Sequence, residues 1–221
     1  VYGTTAAMNV PVALAATMVI LPTFTTEQVL RAIQRYHPTI FPGVPTMYMA
    51  INAYPGVRRF GIQSIKACIS GAAPLPVEVQ EAFEKLTRGR LVEGYGLTEA
   101  SGVPVWSDPD DPQDDPFTHS GRVFDGAEVA AFDPETGERL PPDTRGELRI
   151  RGFCLFSGYL KDPDATRATL LSDGWLRTGD LGFVSTGGVV TYDGRLKDML
   201  KIGGENVGAL EIEGFLCTHP A

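Results

Sequence analysis

Four short segments of this chain contain residues whose types and spacing could perform chemistry. They are 70–76 (SGAAPLP), 93–100 (EGYGLTEA), 174–182 (GWLRTGDLG) and 192–206 (YDGRLKDMLKIGGEN). In segment 70–76, small residues between a predicted strand and a predicted helix let a flat ligand approach the backbone, and a helix N-terminus favours anions. Taken alone, this segment is better explained as a tight strand–helix connection with proline at the helix start.

Segment 93–100 offers a ring, a hydroxyl and a carboxylate within five residues. Tyr95 could stack on a planar ring, Thr98 supplies a hydroxyl, and Glu99 supplies the hard oxygen that Mg²⁺ prefers. An alternative fits equally well: Thr98 would be the N-cap of a helix and Glu99 an acidic residue in its first turn. The segment alone leaves both interpretations open.

The last two segments contain an acid and several cations between glycines. Asp180 could accept two hydrogen bonds from a ribose diol, although an Asx-type turn is the commoner role of a Gly-Asp pair. Arg195 could reach the same nucleotide, and Gly203 with Gly204 could let a thin substrate pass. The alternative for these cations is an ordinary solvated surface.

The first half of the chain alternates strand and helix patterns that would position these segments. An apolar stripe of Val29, Leu30 and Ile33 predicts a helix capped by Thr26, and Pro45 and Pro76 each fit a helix start. Short apolar runs predict strands at 17–21, 39–41, 65–69 and 91–93. This alternation predicts an α/β fold in which helices cover a sheet.

The pattern changes after an acidic, proline-broken stretch at 108–115, which we interpret as a surface loop. Strand-like pieces at 127–132, 146–151, 181–184 and 189–192 with turn signals between them predict a small β-barrel-like unit, and a helical pattern follows from Gly208. The predicted organisation is a β/α subdomain at 1–117, a β-rich subdomain at 118–196, and the hinge and start of a C-terminal lid domain at 197–221.

Composition excludes several classes of protein. With 19 basic and 27 acidic residues the formal net charge is −8, which gives no basic surface for nucleic acid or an anionic membrane. The longest apolar stretch, residues 10–21, is shorter than the roughly 20 residues of a transmembrane helix. Three distant cysteines suggest neither a disulfide framework nor a zinc site, and so favour the cytoplasm. Nothing in the sequence indicates an oligomeric state.

The order of the motifs is more informative than any one of them. SGAAPL, GYGLTE, GELxxRG, WLxTGD and GRxKD follow one another along essentially the whole chain. This series resembles the adenylate-forming superfamily, which contains acyl-CoA synthetases, coumarate-CoA ligases, luciferases and the adenylation domains of peptide synthetases. The stretch GRLKDMLKIGGEN is most similar to the acyl-CoA synthetase branch.

The resemblance implies a two-step reaction that uses ATP, Mg²⁺ and CoA. A carboxylic acid would attack the ATP α-phosphate to give an acyl-adenylate and pyrophosphate, and the CoA thiol would then release AMP. The residues implied in catalysis are Thr98, Glu99, Arg195 and Lys197, with Glu99 as the metal ligand. Such chemistry depends on positioning and charge neutralisation more than on a nucleophilic side chain.

The resemblance also implies where the ligands bind. Gly71, Ala72 and Ala73 would line the adenine and acyl site, Tyr95 would stack on adenine and Asp180 would take both ribose hydroxyls. Lys197 falls at the family's hinge, and Gly203 and Gly204 would flank the pantetheine tunnel. The remaining ligand-binding residues implied are Glu93, Gly94, Gly96, Leu97, Thr98, Arg195 and Asn206.

Two alternatives to an acyl-CoA synthetase for fatty or aryl acids remain. The first is an adenylation domain that loads an amino or aryl acid onto a carrier protein, although no acid lies between Phe41 and Gly71 to hold an α-amine. The second is a non-catalytic nucleotide-binding fragment. The family's phosphate loop and reacting-centre lysine are expected outside residues 1–221, so this stretch is expected to be a middle fragment that is inactive alone.

Overall fold

A computed structural model describes residues 1–108, 110, 120–198, 200–202, 205–207 and 212. Six α-helical segments occur in it: α1 Tyr2–Thr4, α2 Val10–Ala13, α3 Thr26–Tyr36, α4 Pro45–Asn52, α5 Val77–Thr87 and α6 Pro163–Thr169. A π-helical turn, Thr5–Asn9, joins α1 to α2. Short 3₁₀ turns occupy Val57–Phe60, Ile62–Ser64, Thr98–Ala100 and Leu196–Asp198.

Eleven strands are described. They are β1 Ile40–Gly43, β2 Ala67–Gly71, β3 Arg90–Tyr95, β4 Val105–Trp106, β5 Gly121–Val123, β6 Ala127–Phe132, β7 Gly146–Gly152, β8 Leu176–Val184, β9 Val189–Arg195, β10 Leu200–Ile202 and β11 Glu205–Val207. The first nine form one sheet in the order β1-β2-β3-β4-β5-β9-β8-β7-β6, and β10 pairs with β11 separately. Strands β1 to β3 are parallel, and every later neighbour pair in the sheet is antiparallel.

The parallel half follows the predicted pattern. The predicted stripe of α3 is buried, but the predicted cap Thr26 is wrong: the Thr25 hydroxyl caps α3 by accepting a hydrogen bond from the Gln28 amide at 3.3 Å, and Thr26 is the first residue of the helix. The helices α3, α4 and α5 share one apolar core with β1 to β3, in which Tyr48 and Phe83 pack edge to face at 4.8 Å. The α/β class and the helices predicted at Pro45 and Pro76 are therefore confirmed.

The antiparallel half has a second core. Val105, Leu148, Ile150, Leu176 and Val190 are fully buried there, on strands that all belong to the continuous sheet. The ladder passes from β4 to β5 without interruption, so the two predicted subdomains share one sheet. The barrel-like form of the second unit and the division at 117 and 196 stay predictions.

One predicted strand is wrong. Residues 17–21 form no strand, and Val19 and Ile20 are exposed, the latter by 77 %. An apolar run alone does not distinguish a strand from irregular backbone, and here no described strand pairs with it. Leu21 packs partly against the first core, which accounts for some of its apolar character.

Two further predictions fall wholly or mostly outside the described residues. They are the acidic loop at 108–115 and the helix from Gly208. Among the helices that the described part of the chain contains, none has the length and apolar character needed to cross a bilayer.

A candidate nucleotide and metal site

A cleft opens at the carboxyl ends of β2 and β3, where the parallel half of the sheet meets β8 and β9. Its walls come from the predicted segment after β2, the segment after β3, and three side chains of the antiparallel half: Asp180, Tyr192 and Arg195. Ligands of open α/β sheets bind outside the carboxyl ends of the strands. The fold therefore brings together the segments that the sequence separates by more than 100 residues.

Asp180 is the most deeply buried charged residue of this cleft, at 2 % exposure. The β8–β9 register places it opposite Arg195, whose Nε lies 3.0 Å from Oδ1, and the Tyr95 hydroxyl donates to Oδ2 at 2.9 Å. The Asp180 side chain thus lies in a strand and binds across the sheet, so the Asx-turn alternative is wrong.

The electrostatics of Asp180 are a balance of burial against two partners. Burial raises the pKa of the Asp180 carboxyl, while the Tyr95 hydroxyl and the Arg195 guanidinium oppose that shift. Oδ1 has the ion pair but no hydrogen bond from a described residue. A buried carboxylate oxygen without a hydrogen-bond donor can accept one from a ligand hydroxyl.

Tyr95 lies against a second aromatic ring. Tyr192 stacks on it with ring centroids 5.4 Å apart and an interplanar angle of 30°. Burial raises the pKa of the Tyr95 hydroxyl well above its usual value, so it acts as a donor to Asp180. Sequence reasoning did not assign Tyr192 to the site. Its position three residues before Arg195 in a strand was the available signal.

The loop after β2 forms one wall of the cleft. Ala72 and Ala73 are exposed on it, and Ala72 adopts a left-handed backbone with φ of 75°. Gly71 is buried at the strand end, where a Cβ would lie 3.1 Å from the ring of Tyr2. Glycine here serves close packing inside the protein, whereas the two alanines face the cleft.

Glu93 connects this loop to β3. Its Oε1 accepts a hydrogen bond from the Leu75 amide at 2.9 Å, and burial raises the pKa of its carboxyl to about 7. Glu93 lines the cleft as expected of a ligand-binding residue, and it also holds the position of the neighbouring loop.

Gly94, Gly96 and Leu97 bring the chain from β3 to the turn at Thr98–Ala100. A Cβ on Gly94 would lie 2.4 Å from Val103 Cγ1, and one on Gly96 would lie 2.1 Å from the Gly102 carbonyl oxygen. The turn is 3₁₀-helical, its N-cap is Leu97, and no side chain caps it. The alternative that Thr98 is an N-cap is therefore wrong, because Thr98 is already the first residue of the turn.

Glu99 lies in a second cleft together with Thr98. Its Oε1 accepts a hydrogen bond from the Tyr159 hydroxyl at 2.7 Å, and this bond is the main reason that the pKa of Tyr159 is raised. Oε2 has no hydrogen bond or ion pair to another described residue, and Thr98 is exposed. Mg²⁺ commonly takes only one or two protein carboxylates and completes its shell with phosphate oxygens and water. The Glu99 carboxylate fits that role, although no cluster of three potential metal-binding side chains occurs among the described residues.

The remaining predicted residues lie beyond β9. Lys197 is exposed in the turn Leu196–Asp198, and Asn206 lies in β11. Gly203 and Gly204 lie outside the described residues. The first cleft brings together Ala72, Ala73, Glu93, Gly94, Tyr95, Gly96, Asp180 and Arg195, and the second contains Leu97, Thr98 and Glu99. Ala72, Gly94, Gly96 and Arg195 line both clefts, whereas Gly71 lines neither. The roles assigned to these residues and to Lys197, Gly203, Gly204 and Asn206 stay predictions.

Comparison with known proteins shows what the whole chain is similar to. The chain is 40 % identical to the long-chain-fatty-acid–CoA ligase of Bacillus subtilis (strain 168) over 225 residues, covering all of this chain and 39 % of that protein. It is 36 % identical to 4-coumarate–CoA ligase 1 of Petroselinum crispum over 223 residues, covering all of this chain and 41 % of that protein. The chain thus spans about two fifths of the length of these curated relatives.

The fold matches a solved structure over the whole chain. The crystal structure of the anthranilate CoA ligase AuaEII in complex with anthranoyl-AMP superposes with a TM-score of 0.90 at 31 % identity, covering all of this chain and 42 % of that one. The family model described as AMP-binding enzyme matches residues 1–160. The motif series, the α/β architecture and this match agree, and the chain belongs to the AMP-binding enzyme family.

Proposed function

We propose that the protein containing this chain is an ATP-dependent acid–thiol ligase of the acyl-CoA synthetase type. It would convert a carboxylic acid, ATP and CoA into acyl-CoA, AMP and pyrophosphate through an acyl-adenylate. The observation that carries the proposal is the Asp180 carboxylate: it is buried in the cleft beside Tyr95 and Arg195, and one of its oxygens has no hydrogen-bond donor among the described residues.

The groups around Asp180 support nucleotide binding in this cleft. The ribose hydroxyls would donate to Asp180, whose carboxylate is already held in place by two partners and loses little freedom on binding. Adenine would lie against the ring of Tyr95 and the backbone of Ala72 and Ala73. The Arg195 guanidinium, which is half-exposed, would remain beside the ribose as a cation near the phosphates.

The phosphates would then extend toward Thr98 and Glu99. Thr98 would donate its hydroxyl to a phosphate oxygen, and Glu99 would hold Mg²⁺, which neutralises charge on the phosphates when it is bound. In this proposal the chain acts by positioning the substrates. It holds the α-phosphate where the acid can attack it, and it supplies hydroxyl and cationic groups around that phosphate.

The acid is proposed to be a fatty or aryl acid and the acceptor to be CoA. Two observations support this choice. The curated relatives named above are a long-chain-fatty-acid–CoA ligase and a 4-coumarate–CoA ligase, and the stretch between Phe41 and Gly71 carries no acid to pair with an α-amine. In the second step Lys197 would lie at the hinge between half-reactions, with Gly203, Gly204 and Asn206 toward the pantetheine arm.

The test is product analysis with the full-length protein, which contains this chain together with the sequence that flanks it naturally. Long-chain fatty acids, aryl acids and amino acids are each supplied with ATP and Mg²⁺, with and without CoA. We expect pyrophosphate release with a fatty or aryl acid, and AMP plus a thioester when CoA is added. ADP as the product would contradict the proposal. Activation of amino acids alone, with transfer to a carrier-protein thiol, would favour the adenylation-domain alternative.

A further inference from the structure

Residues 152–159 (GFCLFSGY), here called the 152–159 loop, follow β7 and reach the turn that contains Glu99. Three hydrogen bonds join the loop to this turn. The Phe156 amide donates to the Glu99 carbonyl at 2.8 Å, the Ser101 hydroxyl donates to the Cys154 carbonyl at 2.7 Å, and the Tyr159 hydroxyl donates to Glu99 Oε1 at 2.7 Å.

Of these three contacts only the third engages the carboxylate. A glutamate side chain has three rotatable bonds, so a carboxylate on a short surface turn samples several positions unless a partner fixes it. Tyr159 supplies one donor to one oxygen and leaves Oε2 without a hydrogen-bond or ion-pair partner among the described residues. An orienting bond to one oxygen leaves the other available for a ligand.

Tyr159 is itself held from two sides. Its amide donates to the Thr166 hydroxyl oxygen at 2.9 Å, and that hydroxyl donates to the Asp162 carbonyl at 2.8 Å at the start of α6. Its ring packs edge to face against Phe156 at 4.9 Å. The Tyr159 backbone is therefore anchored to α6 and its ring packs within its own loop, independently of the bond to Glu99.

We infer that Tyr159 is a positioning residue that orients the Glu99 carboxylate for a divalent cation bound with the nucleotide. The inference rests on the proposed function, because it assumes that Glu99 holds this cation. It adds a residue 60 positions along the chain to the site, from a segment to which no ligand role is assigned above. Hydrogen bonds to metal-ligating carboxylates fix their orientation, and losing one commonly weakens metal binding about 10–100-fold.

The experiment uses Tyr159→Phe, which removes the hydroxyl and keeps the ring. Because Tyr159 is 38 % exposed and the phenylalanine ring can keep the contact with Phe156, we expect the fold to be retained, which a melting curve checks. Binding of Mn²⁺–ATP to the full-length protein without acid or CoA is followed by the enhancement of water proton relaxation. We expect the dissociation constant of Mn²⁺–ATP to rise about tenfold in Tyr159→Phe. The matched control is Tyr36→Phe, the same change at the exposed last residue of α3, which should leave that dissociation constant unaltered.

A double-mutant cycle separates positioning from a general structural role. If Tyr159 acts through Glu99, then Tyr159→Phe with Glu99→Gln binds Mn²⁺–ATP no more weakly than Glu99→Gln alone. Effects that multiply would overturn the inference while leaving the metal role of Glu99 intact, and so would an unchanged constant in Tyr159→Phe when Glu99→Gln weakens binding. If Glu99→Gln has no effect either, the metal part of the proposed function fails and this inference fails with it.

Discussion

The two ends of the candidate nucleotide site are built in different ways. At the proposed ribose end, Asp180 and Arg195 are register partners in adjacent strands, and Asp180 is 2 % exposed. At the proposed phosphate end, Glu99 lies on a three-residue turn, which hydrogen bonds at exposed positions join to the 152–159 loop. One end is therefore preorganised by the sheet and the other by side chains and loop contacts.

Sheet register and loop contacts respond differently to mutation. A register pair is kept by the many backbone hydrogen bonds of its strands, so changing one side chain alters chemistry without moving the backbone. A turn held by a few side-chain bonds loses part of its geometry with each one. The predictions below test this difference, beginning with the largest expected effect.

Lys197 tests whether the backbone becomes free to rotate just beyond the last strand of the sheet. β9 ends at Arg195, and Lys197 follows in a 3₁₀ turn with its side chain exposed. If domain rotation occurs there, Lys197→Pro should block it, because proline fixes φ near −65° and removes a backbone donor. We expect thioester formation from pre-made acyl-adenylate in the full-length protein to fall by orders of magnitude, while adenylation continues at a sizeable fraction of wild type.

The control for this prediction is Lys197→Ala, which removes the charge and keeps the backbone free. Rates of the two half-reactions, measured separately, should show that alanine spares the thioester step more than proline does. Equal loss of both half-reactions in Lys197→Pro, or loss of neither, would show that the hinge lies elsewhere.

The pH dependence of stability tests whether the Glu93 carboxyl is buried in its neutral form. Its carboxyl pKa is raised to about 7 from 4.5, so the folded state binds a proton more tightly than the unfolded state between these values. Stability therefore falls as pH rises through this window, by up to about 3 kcal/mol in the free energy of unfolding for a shift of this size.

The measurement compares the wild type with Glu93→Gln by urea unfolding at pH 5 and pH 8. Glutamine keeps an oxygen acceptor for the Leu75 amide and cannot ionise. The wild type should lose stability relative to the variant between pH 5 and pH 8. A constant difference between the two proteins would contradict the burial of a neutral carboxyl at this position.

Asp180 tests ligand binding at the preorganised end. Asp180→Asn keeps the shape but removes the charge, so hydrogen bonds from the ribose hydroxyls weaken. Since such charge-assisted bonds contribute about 1.5–3 kcal/mol, we expect at least a tenfold rise in the ATP Michaelis constant. Steady-state kinetics of the full-length protein and its melting temperature measure the two parts of the prediction. An unchanged Michaelis constant with an intact fold would refute the ribose role.

Ser101 tests the weaker hold at the phosphate end. Ser101→Ala removes one hydrogen bond between the turn and the 152–159 loop, at an exposed position. The expected loss in the free energy of unfolding is about 1 kcal/mol or less. Ser157→Ala is the matched control, because Ser157 is exposed in the same loop and makes no hydrogen bond to another described residue. Equal losses in the two variants would show that the Ser101 contact does not stabilise the turn.

The segments nearest to regular secondary structure were predictable from local pattern. β6 has the predicted bounds of 127–132, and helix α3 with its buried stripe follows from apolar spacing, although its cap is Thr25 and not the predicted Thr26. The run at 17–21 was not predictable in this way. Its backbone is irregular, its apolar residues are partly exposed, and no described strand pairs with it. Whether an apolar run forms a strand depends on pairing, which local sequence does not contain.

The candidate site shows the same division. Most of the residues that the motif order singles out between Ala72 and Arg195 line two clefts that share Ala72, Gly94, Gly96 and Arg195, because the carboxyl ends of the neighbouring parallel strands β2 and β3 lie at one edge. Tyr192 and Tyr159 were missed. Each is an ordinary tyrosine in its own segment and acquires a role only through a partner far away in sequence, Tyr95 in one case and Glu99 in the other.

Residue types and their spacing are enough to predict the α/β class, the order of motifs and the kinds of groups available: a carboxylate for a diol, a hard oxygen for a cation, and glycines for close approach. These follow from residue type and spacing, which are local. The tertiary structure decided that Asp180 lies opposite Arg195 and under the Tyr95 hydroxyl, that Glu93 anchors a loop, and that Tyr159 binds Glu99. These contacts depend on strand register and loop path, which are set by burial of two cores and by backbone pairing over the whole sheet.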